Sequence, residues 1–321
     1  MVGSAIPGGE APLGTQGSHR GVRLDMKRRL SWLEIAMAAG VALVLLPARS
    51  DMPSAAMADE SQAGAAAAAA ALPAGAGAAA SADSDSADAG LKAGLAPVPW
   101  KIGEYFQFAI DWNGLNGGGS LMQVQNIVRV DGRRAYRIVT KAESNSFVSK
   151  FYKVRDRAES FVDAESLYSV RFVKHLREGG YKKDVDVRFD QATGKARYDD
   201  GKTYDVPKRV HDVLSAFYYV RTVPLLDGAT LSIPTHDNEK TYEMVVKVHG
   251  REKVEVPAGK FDCVVVEPIL KSEGVFKSKG SILVYLSDDA RRIPVMVKSK
   301  IPVGSVTVSL TDMRLAFPGR H

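Results

Sequence analysis

Between residues 100 and 316, apolar and polar side chains alternate with a period of two in one segment after another. This is the mark of strands with one dry and one wet face. In EYFQFAIDW, Phe106, Phe108, Ile110 and Trp112 fall on one side, and Tyr105, Gln107 and Asp111 on the other. KKDVDVRFD sets Val185, Val187 and Phe189 against Asp184, Asp186 and Arg188, while KTYEMVVKVHG aligns Tyr242, Met244, Val246 and Val248. Turn-forming pairs punctuate these runs. Asn113-Gly114 and Asn116-Gly117 follow the first strand, Asp131-Gly132 separates two others, and Pro257-Ala258-Gly259 suits a three-residue hairpin with a left-handed glycine. The pattern predicts a mainly β protein, a single large antiparallel meander of roughly ten strands curved into an open or half barrel.

One segment departs from the alternation. In HDVLSAFYYVRTVP, Val210, Val213, Leu214 and Phe217 fall at helical spacing, Asp212 can cap the amino end and Pro224 stops continuation. The spacing predicts one short helix of about ten residues, packed on the sheet to bury Leu214 and Phe217. A second short helix is expected over Ser146 to Tyr152.

Composition divides the chain. Residues 59–97 are dominated by alanine, with Gly, Ser and Asp making up most of the rest, and lack the large apolar side chains that offset the entropy of ordering. They are expected to be a disordered linker. Ahead of them, MKRRLSWLEIAMAAGVALVLL joins a basic cluster to an apolar run too short for an ordinary membrane span, and Ala56 and Ala58 offer a small-residue cleavage site. Residues 26–58 therefore read as a signal peptide and 1–25 as a mis-start or disordered extension, which leaves 98–317 as the β-rich domain. The expected address is periplasmic, with an uncleaved signal anchoring the chain in the inner membrane as the alternative. No stable transmembrane span is expected once the signal is cleaved.

Formal charge is +6, and acids alternate with bases along the domain, so nucleic acid is not an expected partner. The single cysteine, Cys263, excludes an intramolecular disulfide and reads as a small buried strand residue.

Chemistry-bearing constellations are sparse. There is no G-x-S-x-G, P-loop or G-x-G-x-x-G, and His175, His211, His236 and His249 stand singly. Each histidine reads as a surface or turn residue, and no metal, cofactor or catalytic set is assigned. The acid pair Asp288-Asp289 in LSDDARRIPV invites a catalytic reading. Adjacent carboxylates on a strand point to opposite faces, however, and Ser287 to Ala290 suit a turn. The turn is preferred, with Pro294 at an edge or beside a bulge, and Arg291 and Arg292 remain a candidate anion contact.

GGGSL, DVLSAFYYVR, VPAGKFDCVVVEP and ILVYLSDDARRIPVMVKSKIPVGSVTVSL, in this order, resemble an exported bacterial family catalogued as a domain of unknown function in proteobacterial envelopes. The resemblance covers about residues 100 to 316 and implies an address and an architecture, with no activity to carry over. By analogy it implies a half-barrel similar to that of periplasmic lipoprotein carriers, an antiparallel sheet wrapped round a helix and enclosing an apolar cavity.

The expected function is thus that of a non-enzymatic envelope binder of an apolar or lipid-like ligand, with Leu214, Phe217 and Tyr218 as candidate cavity residues. Two alternatives stand beside it. One is an interaction module that pairs with an envelope partner through a sheet edge. The other is a hydrolase using Asp288 or Asp289 with His236.

Overall fold

The computed structural model describes residues 95–271, 281–301 and 304–315. The expected signal, the cleavage residues Ala56 and Ala58 and residues 59–94 of the expected linker lie outside them. The last linker residues lie against the domain, where Leu95 and Ala96 pack on the main core and the Ala96 amide donates to the Ala164 carbonyl at 2.9 Å. Eight strands come first: β1 (Tyr105–Trp112), β2 (Leu115–Val130), β3 (Arg133–Ser144), β4 (Arg155–Asp163), β5 (Ser169–Glu178), β6 (Tyr181–Asp190), β7 (Lys195–Tyr198) and β8 (Thr203–Asp205). After the helix α1 (Val213–Val220) come β9 (Thr230–Asp237), β10 (Lys240–Val256), β11 (Gly259–Lys271), β12 (Ile282–Ser287), β13 (Pro294–Ile301) and β14 (Gly304–Arg314).

The strands form one antiparallel sheet in the order β8-β7-β6-β5-β4-β3-β2-β1-β14-β13-β12-β11-β10-β9. Neighbours in sequence are neighbours in the sheet, except that β14 returns beside β1 and α1 interrupts the path from β8 to β9. The predicted meander is therefore correct, with fourteen strands instead of about ten. The surplus comes partly from β7 and β8, whose four and three residues are too few to show a period.

Local chemistry fixes the turns. Asn113 and Gly114 take φ of 48° and 82°, and Asp131 and Gly132 take 50° and 80°, so both pairs place two left-handed residues in two-residue hairpins. Asn116-Gly117 is not a turn. Both residues belong to β2, where Asn116 pairs with Asp111 and its side-chain amide donates to the Asp111 carboxylate at 3.2 Å. The glycines that follow allow close strand approach: a Cβ on Gly118 would meet the Glu143 carbonyl oxygen at 2.1 Å. The hairpin at Pro257 is also tighter than expected, since Val256 pairs with Gly259 and leaves a two-residue loop.

Alternation then decides burial. Phe106, Phe108 and Ile110 are buried while Gln107 is exposed, and Val185, Val187 and Phe189 are buried on β6. Asp212 caps α1, its carboxylate accepting from the Leu214 and Ser215 amides at 2.8 and 2.9 Å. Eight residues are too few for a helix to persist alone, so packing holds it. Val213, Leu214 and Tyr218 enter the main core with Trp100, Phe106 and Ile138. Ala216 and Val220 enter a second cluster with Ile233, Met244, Val264 and Leu286. In place of a second helix, Val148–Lys150 form a single 3-10 turn.

The two edges of the sheet are not hydrogen-bonded to each other as strands, yet they are laced together. His211 makes a parallel bridge with Thr235 of β9, its amide donating to the Pro234 carbonyl and its carbonyl accepting from the His236 amide. Lys174 on β5 reaches Asp237, Tyr198 on β7 reaches His236, and Lys202 reaches Glu239. The half-open curvature is thus closed by side chains and one bridge.

Candidate functional site

The residues singled out from sequence fall in three places. Leu214 and Tyr218 are buried in the main core, and Phe217, half-buried, packs against both clusters. Tyr218 also stacks over Arg221 with its ring centroid 4.9 Å from the guanidinium carbon, and Trp100 and Phe106 add two further rings at 5.6 Å. Arg221 grips Glu104 with both ends of its fork and donates to the Arg291 carbonyl at 3.1 Å. The end of α1 is thereby tied to the approach to β1 and to the turn between β12 and β13.

That turn contains the acid pair, and its reading as a turn is correct. The Ser287 hydroxyl and the Arg291 amide donate to one oxygen of Asp289, and the Ile293 amide donates to the Ser287 hydroxyl. Asp288 is held by Arg292 at 2.8 Å and Arg251 at 3.1 Å, and these guanidinium groups keep its carboxyl below the usual carboxylate range. Arg291 pairs with Asp289, so an anion reaching Arg291 or Arg292 would compete with carboxylates already in place. His236 bonds Tyr198 and Thr241 and shares no partner with Asp288 or Asp289. The convergence required of a hydrolase built on these groups does not occur. Pro294 opens β13 opposite Leu286, beside an irregularity in the pairing of β12.

The histidines correct a second expectation. His175 and His249 are exposed at their rings, but His211 and His236 are buried. Burial pushes both buried histidines down to about 4, so they are neutral at pH 7. The Glu239 amide donates to the Tyr198 hydroxyl oxygen at 3.0 Å, which leaves the Tyr198 proton for His236 Nε2 at 2.9 Å. His236 Nδ1 then carries the hydrogen and donates to Thr241 Oγ1 at 2.8 Å. Nearby, the fully buried Lys174 pairs with Asp237 at 3.0 Å. Asp212 accepts from the Ser160 and Ser169 hydroxyls as well as from α1. Lys174 and Tyr198 thus answer Asp237 and His236 across the seam between β5 to β8 and β9, while Asp212 ties the start of α1 to β4 and β5, and none of these groups presents a free nucleophile to a cleft. Cys263 is buried on β11, and burial pushes its thiol up to about 12, which rules out a thiolate at neutral pH.

A different feature was not legible from the sequence pattern. In a meander, alternate connections share an end, so the links β1–β2, β3–β4, β5–β6 and β13–β14 lie together. Their contacts confirm this: Asn145 Nδ2 donates to the Asn116 carbonyl at 2.7 Å, the Gly179 amide to the Lys153 carbonyl at 2.8 Å, and the Ser305 amide to Asn113 Oδ1 at 2.9 Å. Leu115, Phe147, Phe151 and Tyr181 all belong to this end and are 73%, 68%, 79% and 44% exposed. Among the described residues only Leu226, at the opposite end, is a comparably exposed large apolar side chain.

Beneath this rim lies a pair of buried carboxylates, Asp156 and Glu178. The Arg177 amide donates to Asp156 at 2.8 Å. Among the described residues, no donor other than a proton held by the pair itself reaches the oxygens of Glu178, which is 1% exposed. Burial, and then the Asp156 charge, push Glu178 up to about 8, so the pair retains a proton at neutral pH.

A concavity of about 380 Å³ at the β10–β11 hairpin is lined by Lys253, Val254, Glu255, Lys260, Phe261 and Asp262. It is open, and its charges pair across the strands, Lys253 with Asp262 and Lys260 with Glu255, so no group converges on its interior.

Comparison with known proteins adds a family and a set of fold likenesses. The profile of a family described as a protein of unknown function (DUF3108) matches residues 107–311. No curated protein matches the sequence. Among solved structures, a β-barrel-like protein of the domain of unknown function DUF1849 from Brucella abortus is similar at 13% identity, covering 67% of this chain and 99% of that one with a TM-score of 0.49. A protein with a YmcC-like fold from Bacteroides fragilis has 13% identity, 68% and 99% coverage and a TM-score of 0.33. A DUF1089 family protein from Pseudomonas aeruginosa has 13% identity, 55% and 87% coverage and a TM-score of 0.32. Likenesses of this size carry no functional weight. No helix among the described residues is long and apolar enough to cross a membrane.

Proposed function

The chain belongs to the DUF3108 family of proteins of unknown function, and from that starting point we propose that it is an exported, non-enzymatic binding protein of the cell envelope. In this reading it engages an apolar, lipid-like partner at the end of the sheet that bears Leu115, Phe147, Phe151 and Tyr181. The observation that carries the reading is the gathering of these four exposed side chains on connections that share one end. Single exposed apolar residues are ordinary, whereas a group on one face points to a contact. Export is supported by the basic, apolar and small-residue order from Lys27 to Ala58. The absence of a catalytic role is supported by the matched partners of Asp288, Asp289, His211 and His236. The partner sits at the rim in this proposal because Leu214 and Tyr218 are already engaged in the core.

The test uses micelles of a neutral alkyl glycoside. Sedimentation of the full chain with and without micelles is expected to show a bound fraction, and F147S/F151S is expected to abolish it while leaving the melting temperature unchanged. Failure of the wild-type protein to bind, or equal binding by the variant, would overturn the reading.

A further inference from the structure

We infer that this end of the sheet docks on the surface of an anionic lipid bilayer. The inference rests on the reading above, that the same end takes an apolar partner, and adds the partner's charge and form.

Charge comes first. Lys150 stands beside Phe151, Lys153 two residues further on, and Lys182 beside Tyr181; all three are exposed and make no ion pair among the described residues. The neighbouring strands are arranged differently. Arg137 and Arg157 share Glu159, Arg171 holds Asp186, Arg177 holds Asp184, and Arg197 holds Asp190. Carboxylates near the rim offset the lysines only in part: Asp156 and Glu178 are buried, Glu143 stands opposite Arg155 in the β3–β4 register, Asp184 is held by Arg177, Asp200 and Glu239 by Lys202, and Asp111 accepts from the Asn116 amide. The rim therefore presents three ammonium groups, without an ion pair among the described residues, interleaved with apolar tips. Each lysine close to an anionic membrane adds electrostatic attraction, while the aromatic and aliphatic tips suit the headgroup boundary.

Form comes second. The four apolar side chains come from three separate connections, and of their three rings only those of Phe147 and Phe151 meet, edge to face with centroids 5.7 Å apart. Dispersed tips of this kind match a plane into which each inserts separately. A single acyl chain would instead need a continuous lined groove. The rim is also anchored: Asn145 caps the Val148 amide at 2.9 Å and bonds to Asn116, so the phenylalanines project from a braced connection.

Flotation of the full chain with vesicles tests the inference, comparing phosphatidylcholine alone with phosphatidylcholine containing phosphatidylglycerol. Binding to the anionic vesicles is expected to be about tenfold or more tighter and to weaken as salt is raised. F147S/F151S is expected to lose about tenfold or more on anionic vesicles. K150Q/K153Q/K182Q is expected to lose the anionic preference while keeping its binding to neutral micelles, and its melting temperature should match the wild type. Equal affinity for both vesicle types, or micelle binding without vesicle binding, would overturn the bilayer inference and leave the apolar reading standing. Loss of both would remove the two together. A concentration-dependent dimer abolished by F147S/F151S, with no vesicle binding, would assign the surface to a second copy and overturn the inference.

Discussion

Arg221 at the end of α1 and Glu104 at the threshold of β1, 117 residues apart in sequence, form a two-point ion pair at 2.7 and 2.9 Å with both side chains buried. Trp100, Phe106 and Tyr218 enclose the guanidinium. The pair fixes where the helix ends relative to the first strand of the sheet. Removing one partner leaves an uncompensated buried charge, so E104Q is expected to cost about 3 to 5 kcal/mol. Replacing both, as in E104L/R221M, is expected to recover most of that loss. Urea unfolding of the three proteins checks the ordering; equal costs for the single and double variants would contradict it.

Asp212 does two jobs with one carboxylate, capping α1 and accepting from Ser160 and Ser169. D212A is expected to lose about 1 to 2 kcal/mol from the cap alone, with a further penalty for two buried hydroxyls left without an acceptor. D212N keeps one acceptor oxygen for the helix amides and offers an amide to the serines, so its loss should be smaller. Thermal melts of D212A and D212N compared with wild type test the difference.

Glu178 ties stability to pH. Its folded value of about 8 lies above the ordinary carboxyl value of 4.5, so the folded state binds this proton more tightly. The resulting stabilisation is full below 4.5 and is lost as pH rises through 8. His211 and His236 act in the opposite sense: with folded values of about 4 against 6.5, their contribution is present above 6.5 and lost as pH falls through 4. E178Q, which mimics the protonated acid, is expected to flatten the alkaline decline while leaving the acidic one. Melting temperatures of wild type and E178Q across this range check it, and parallel curves would refute the assignment.

The acid pair of LSDDARRIPV is expected to be dispensable. Asp288 is partly exposed and its bonds are ion pairs with Arg251 and Arg292, a class worth about 1 kcal/mol or less. D288N/D289N should therefore fold with a stability loss of about 1 kcal/mol, because a side-chain amide oxygen at position 289 would still accept from Ser287 and the Arg291 amide. Denaturant midpoints of the two proteins, together with unchanged micelle binding, test this.

Much of the architecture was legible because period-two alternation and Asn-Gly or Asp-Gly turns are local signals. Phe106, Phe108 and Ile110 announce their face within one strand, and Asp212 announces the helix start. The rim was not legible, because nothing in FVSKFYK says that Phe147 and Phe151 face water. Helical spacing of the two rings suggests burial, and only the topology shows that their connection stands beside Leu115 and Tyr181. The expectation that His211 and His236 are surface or turn residues fails for a related reason. Their burial comes from the meeting of the two sheet edges, and no pattern within β9 or the approach to α1 encodes that meeting. The Glu104 and Arg221 pair is equally hidden, since each looks like an ordinary charged residue until the fold brings them together.

The central claim is that the apolar contact lies at the rim while the core stays filled. The most direct measurement is amide chemical-shift mapping of the full chain during titration with neutral alkyl glycoside micelles. The account predicts shifts at Leu115, Phe147, Phe151 and Tyr181, with Leu214, Phe217 and Tyr218 unmoved. Shifts centred on α1, with the rim silent, would place the ligand in the interior and contradict it.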